Sequence, residues 1–203
     1  MISIQKKFLF IHVPKTGGNS IQNILKVYSE DDIVVLAKHQ DGIERFEVRN
    51  KIYDIKKHSI LSHYKSVLEP DTYESLFKFA TIRNPWEKMI SFYFSPHRGV
   101  KKWDRNNFIA LLNNVAPLRH YVCEGAQSIK VDSELDYLIK FENLDEDFGI
   151  VCKNLGIPEI TLPRRNQSNR RHYSKYYDSE LIQLVEDRFK EEIEFGNYSF
   201  KNA

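Results

Sequence analysis

A lysine, two hydroxyls, an amide and two glycines stand together in Lys15-Thr16-Gly17-Gly18-Asn19-Ser20. They follow the apolar run Phe8–Val13 and precede Ile21, Ile24, Leu25 and Tyr28 at helical spacing, so a buried strand turns through glycine into a helix start. That arrangement suits phosphate binding. Backbone N–H groups at a helix N-terminus point at an anion, and the helix dipole favours it. Glycines let the backbone approach closely and curl into a nest. Lys15 adds a mobile point charge that can follow oxygens. A second group comes from Arg83, which follows the apolar run Phe77–Ile82, and Ser91, two turns into the next helix. A guanidinium fork with a hydroxyl beside it suits a phosphate other than the one at the glycine turn. His63 closes the run His58–Ser62, and an imidazole near neutrality suits proton removal from a hydroxyl. His12 lies within the first strand, placed to orient the loop, while His39, His58, His97, His120 and His172 stand outside any motif.

These groups need elements that bring them together. Strands are expected at Lys7–Val13, His58–Ser62, Phe77–Ile82 and Tyr137–Phe141, and helices at Ser20–Tyr28, Pro85–Phe94, Asn106–Asn113, Glu146–Leu155 and Ser179–Glu192. Asn84-Pro85 is a helix start, with an N-cap followed by proline at the first helical position. Gly156 and Pro158 stop the helix ending at Leu155. Short apolar strands alternating with helices predict an α/β fold, a P-loop-like parallel sheet flanked by helices, over a single domain of residues 1–203. Ligands of such sheets lie at the carboxyl ends of the strands, which here are Pro14-Lys15, His63 and Arg83.

Composition narrows the classes. Apolar residues make up 41% and charged residues 29%, the balance of a water-exposed globular chain, and a net charge of +2 gives no case for nucleic-acid binding. Basic pairs occur at Lys56-Lys57, Lys101-Lys102, Arg164-Arg165 and Arg170-Arg171, and the last two are candidates to meet an anion. Cys123 and Cys152 have neither disulfide-framework nor zinc spacing, so no metal is expected. No window is long and apolar enough to span a membrane, and the first apolar run ends in Pro-Lys-Thr-Gly-Gly, not in a small-residue cleavage site; the expectation is a cytoplasmic protein.

Lys15 ahead of its glycines, with Arg83-x-Pro85 and Ser91 eight residues after the arginine, resembles the two nucleotide signatures of the sulfotransferase superfamily. The likeness is to the carbohydrate branch of heparan and chondroitin type, in a soluble bacterial-type form. The resemblance extends to Phe141-Glu142-Asn143-Leu144, Leu155-Gly156-Ile157-Pro158, the segment from Asn166 to Arg171, and Phe195–Phe200. It implies 3′-phosphoadenosine 5′-phosphosulfate (PAPS) as donor and a hydroxyl acceptor, on a saccharide. Lys15, Thr16, Gly17, Gly18, Asn19 and Ser20 would hold the 5′-phosphosulfate, and Arg83 and Ser91 the 3′-phosphate. Arg170 and Arg171, with Arg164 and Arg165, would close over the 3′-phosphate or meet an anionic acceptor. Lys15 and His63 would be the catalytic pair, His63 standing where the heparan-type branch has a Gly-His pair. Asn84 and Lys88 replace the Asp and Arg common in the family.

Two rival classes are weighed against this. A P-loop kinase places its lysine after the glycines, beside a metal-binding hydroxyl, the reverse of the order here. A non-catalytic nucleotide- or polyanion-binding module would keep Lys15 and Arg83 and have no use for His63.

Overall fold

Phe8–Ile11 (β2) is buried at every position, which a strand shows only when both faces of its sheet are covered. The computed structural model describes residues 1–38, 44–123, 134–162 and 170–203 and contains that sheet. Its order is β1 (Ile2–Ser3), β2, β5 (Phe77–Ile82) and β6 (Tyr137–Lys140). β1 pairs antiparallel with β2, whereas β2–β5 and β5–β6 are parallel. Alternation sorts the strand side chains by face. Leu9, Ile11, Ala80 and Ile82 pack with α2 (Leu61–Val67), α3 (Pro70–Ser75) and α6 (Leu118–Val122). Phe8, Phe10, Phe79 and Ile139 pack with α1 (Gly18–Leu25) and α7 (Leu144–Leu155). The result is the expected α/β fold, a central parallel sheet with helices on both faces.

A third cluster lies beyond the sheet. Trp86, Met89, Ile90 and Tyr93 of α4 (Pro85–Tyr93) meet Phe108 and Leu112 of α5 (Arg105–Asn114) and Leu181 and Val185 of α8 (Ser179–Arg188). Asn84 caps α4 by accepting from the Glu87 N–H, and Gly156 ends α7 at φ +59°. The helix expected over Ser179–Glu192 is divided at Phe189 into α8 and α9 (Lys190–Gly196). Lys88 and Glu192 form a buried ion pair across α4 and α9; Lys88 Nζ also lies over the Phe189 ring, and Glu192 accepts from the Leu118 N–H.

Two regions depart from the sequence reading. His58–Ser62 is not a strand: Leu61, Tyr64 and Leu68 are buried at i, i+3 and i+7, and this helical spacing prevails over a run too short to carry period-2 information. The segment between α1 and α2 forms a separate antiparallel hairpin, β3 (Asp32–Lys38) with β4 (Glu44–Arg49), bulged between Val35 and Ala37. Among the described residues no helix is long and apolar enough to cross a membrane.

Lys88→Met strands the Glu192 carboxylate in the core, and removing one partner of such a pair costs about 3–5 kcal/mol. Urea denaturation is expected to show that loss, with much of it recovered when Glu192→Leu is added.

Candidate active site

Parallel pairing brings three strand ends to one edge of the sheet. After β2 come Pro14–Gly17, after β5 come Arg83 and Asn84, and after β6 come Phe141 and Glu142. Lys15 and Gly17 both take left-handed conformations, at φ +66° and +91°. Alternating handedness of this kind turns successive N–H groups to one side. Gly17 is the N-cap of α1 and supplies no side-chain cap, and the first turn of α1 holds no acidic residue. The helix start therefore keeps donors that an anion can take.

The glycines are required for contact as well as for conformation. A Cβ on Gly17 would stand 3.0 Å from the Phe141 ring, and one on Gly18 would stand 2.1 Å from His12 Cδ2. Thr16 anchors the loop from inside: its hydroxyl donates to the Val13 carbonyl, so the Thr81 hydroxyl must be the donor in the bond between the two threonines. Its buried side chain leaves only the Thr16 backbone to face a ligand. Asn19 and Ser20 lie in the first turn of α1.

The cations converge on this loop. Lys15 Nζ donates to Ser95 Oγ at 2.6 Å, and its carbonyl accepts from Arg83 Nη1 at 3.0 Å. The Arg83 guanidinium lies 3.8 Å over the Phe141 ring. Arg83 and Arg170 both donate through Nη2 to Glu87 Oε1, at 2.8 and 2.5 Å. Arg83 Nε and Arg170 Nη1 are buried and have no hydrogen-bond partner among the described residues. Burial, with the neighbouring charges of Arg83 and Arg170, pulls the Lys15 ammonium down to about 8. The turn that aims Arg83 is held from behind: Glu142 accepts from the Asn84 N–H and from the Tyr198 hydroxyl, and Asn84 Nδ2 donates to the Ser199 carbonyl.

Two imidazoles stand beneath the loop. The rings of His12 and His58 are 4.6 Å apart, and His58 Nδ1 lies 2.9 Å from the His12 carbonyl. A carbonyl only accepts, so Nδ1 carries the proton and Nε2 of the neutral ring keeps its lone pair. Packing against the protein lowers the His58 imidazole below its usual range, opposed by the bond to His12 and helped by the charges of Lys57 and Lys15. Burial, then the His58 and Lys57 charges, holds His12 well below its usual range.

Of the residues singled out in the sequence, the fold gathers Lys15, the loop through Ser20, Arg83 and Arg170. Ser91 lies on α4, half-buried. His63 is on α2 rather than at a strand end, with Nε2 hydrogen-bonded to the Asp54 carbonyl at 2.6 Å. Arg171 is exposed. Arg164, Arg165, His39 and the segment 166–169 lie outside the described residues. Sequence reasoning missed Ser95 and Glu87 and passed over His58. Glu87 was legible as an i,i+4 partner of Arg83; nothing in the local pattern marks Ser95. Among the described residues, no three His, Cys, Asp or Glu side chains gather in a way that could hold a metal ion.

The model of the Sulfotransferase family matches residues 1–110, more than half of the chain and a span that includes the loop, Arg83 and Ser91. The chain belongs to that family, whose chemistry is sulfuryl transfer. No curated protein and no solved structure matches it.

Because Lys15 titrates near 8, anion affinity is expected to fall by about tenfold as pH rises from 7 to 9, the protonated lysine being the binding form. Titration with inorganic sulfate, whose charge is constant over this range, checks this. Lys15→Met binds more weakly throughout and loses that slope.

Proposed function

We propose that this sulfotransferase moves a sulfuryl group from PAPS to a hydroxyl, on a carbohydrate acceptor. The observation that carries the reading is one cluster: a helix start without a side-chain cap and Lys15 beside two guanidiniums that each keep a buried N–H with no partner among the described residues. Unmet buried donors are costly, and phosphoryl and sulfuryl oxygens are what such donors take. The saccharide acceptor rests on the resemblance of the paired motifs to the carbohydrate branch.

PAPS supplies a sulfuryl group activated on a phosphate. The residues present fit it. Backbone N–H groups from Thr16 to Asn19 and the Lys15 ammonium would hold the 5′-phosphosulfate, with Ser20, whose N–H donates to the Gly17 carbonyl, in the same first turn. Arg83, Ser91 and Arg170 would hold the 3′-phosphate, with exposed Arg171 at the margin. Catalysis of such a transfer is mostly positioning and charge stabilisation. An imidazole would take the acceptor's proton as its oxygen bonds to sulfur, and Lys15 would stabilise the charge left on the leaving nucleotide's oxygen as its bond to sulfur breaks.

For the base we favour His58 over His63. The case for His63 needs a strand end at that point, and α2 occupies the place. His58 senses the Lys15 charge, remains accessible to solvent, and is oriented by the His12 carbonyl with Nε2 as acceptor. That is the arrangement a general base requires.

Two measurements test the reading. 3′-Phosphoadenosine 5′-phosphate (PAP), at about a hundredfold its Kd, should stabilise the fold by about 2.7 kcal/mol without added magnesium, and ADP should do so less. A response to ATP with magnesium and none to PAP would favour a kinase. In turnover assays Lys15→Ala should abolish transfer. His58→Ala should lower kcat by roughly a hundredfold or more while PAP still binds. Full turnover in His58→Ala and its loss in His63→Ala would return the role to His63.

A further inference from the structure

Arg83 and Arg170 are 87 positions apart and come from a strand exit and from the segment ahead of the last helices. What joins them is one oxygen atom. Glu87 Oε1 accepts from Nη2 of both guanidiniums. Its own position is set by the start of α4: Asn84 accepts from the Glu87 N–H, Pro85 opens the helix, and Glu87 falls one turn after Arg83. A carboxylate in a first helical turn is favoured there by the helix dipole.

The consequence lies in the donors left over. With Nη2 of each arginine turned to Glu87 and Arg83 Nη1 turned to the Lys15 carbonyl, Arg83 Nε and Arg170 Nη1 remain buried without a partner among the described residues. Two guanidiniums sharing one counter-ion, near Lys15, also carry more positive charge than Glu87 offsets. Glu142, the other acid acting on Arg83, has its oxygens bonded to the Asn84 N–H and the Tyr198 hydroxyl.

We propose that Glu87 is a positioning residue for the anion site: its shared oxygen gathers Arg83 and Arg170 so that Arg83 Nε and Arg170 Nη1 face a single phosphate together. This rests on the donor reading above in naming that phosphate as the 3′-phosphate of a nucleotide. It requires an effect opposite in sign to plain electrostatics. Deleting a carboxylate beside an anion site strengthens anion binding by Coulomb's law. Deleting this one releases Arg170 and weakens it.

The test compares the wild type with Glu87→Ala and Glu87→Gln by calorimetric titration of PAP and of 5′-AMP, with thermal melts of each protein. Glu87→Ala is expected to lose about tenfold or more in PAP affinity and to leave 5′-AMP affinity unchanged, because the Lys15 loop is intact. Glu87→Gln keeps an oxygen that both Nη2 groups can bond and is expected to stay within about threefold of wild type for PAP. Tighter PAP binding in both variants would show that Glu87 competes with the ligand, and would overturn the proposal. Equal losses for both nucleotides with a lowered melting temperature would reduce Glu87 to fold support and also overturn it. Failure of the donor reading looks different: the wild type would then bind PAP and 5′-AMP equally. In that case inorganic sulfate decides for Glu87, whose removal weakens sulfate binding if the arginine pair is an anion site and leaves it unchanged if not.

Discussion

The site depends on the parallel pairing of β2 with β5. Phe8 stands opposite Phe77 and Ile11 opposite Ala80, so the two chains leave the sheet side by side in one direction. The Thr16 hydroxyl can then reach Thr81, and the Lys15 carbonyl can reach Arg83 Nη1. Antiparallel pairing would send the two exits to opposite edges of the sheet. The pairing is held from both faces by apolar packing, Leu9, Ile11 and Ala80 on one and Phe8, Phe10 and Phe79 on the other. Binding chemistry at the edge therefore rests on burial some distance from it.

Concentrated positive charge follows from that convergence. Burial depresses the Lys15 ammonium, and Arg83 and Arg170 lie close enough for their charges to add to the effect. Such a cluster persists because partial counter-charges and aligned dipoles surround it. Glu87 takes one donor from each arginine, the Phe141 ring lies under the Arg83 plane, and the Ser95 hydroxyl accepts from Lys15. Beneath it burial and the charge of Lys57 lower the imidazoles of His12 and His58, with Lys15 adding to the effect on His58.

Local pattern made much of this legible. FLFIHV and FKFATI read as buried strands because both faces of the sheet are covered and their apolar runs are continuous. Asn84-Pro85 and Gly156 read as helix boundaries because capping chemistry is confined to a few residues. HSILS misled because five apolar-rich residues carry too little periodicity to separate a strand from a helix entrance, and Leu61, Tyr64 and Leu68 had their own burial to satisfy. That misreading put His63 at a strand end, where a helix stands, and His58 has no motif around it to draw notice.

The sequence by itself determined the glycine turn, the strand that feeds it and the arginine at a second strand exit. Each of these depends on contacts within a few residues, where spacing and side-chain type are enough. Only the tertiary structure decided which distant groups complete the site: Ser95 on Lys15, Arg170 on Glu87, and the His12 carbonyl on His58. Those partners are chosen by how the strands pair and the helices pack. A hydrogen bond between residues far apart in the chain leaves no periodicity or spacing at either end from which it could have been read.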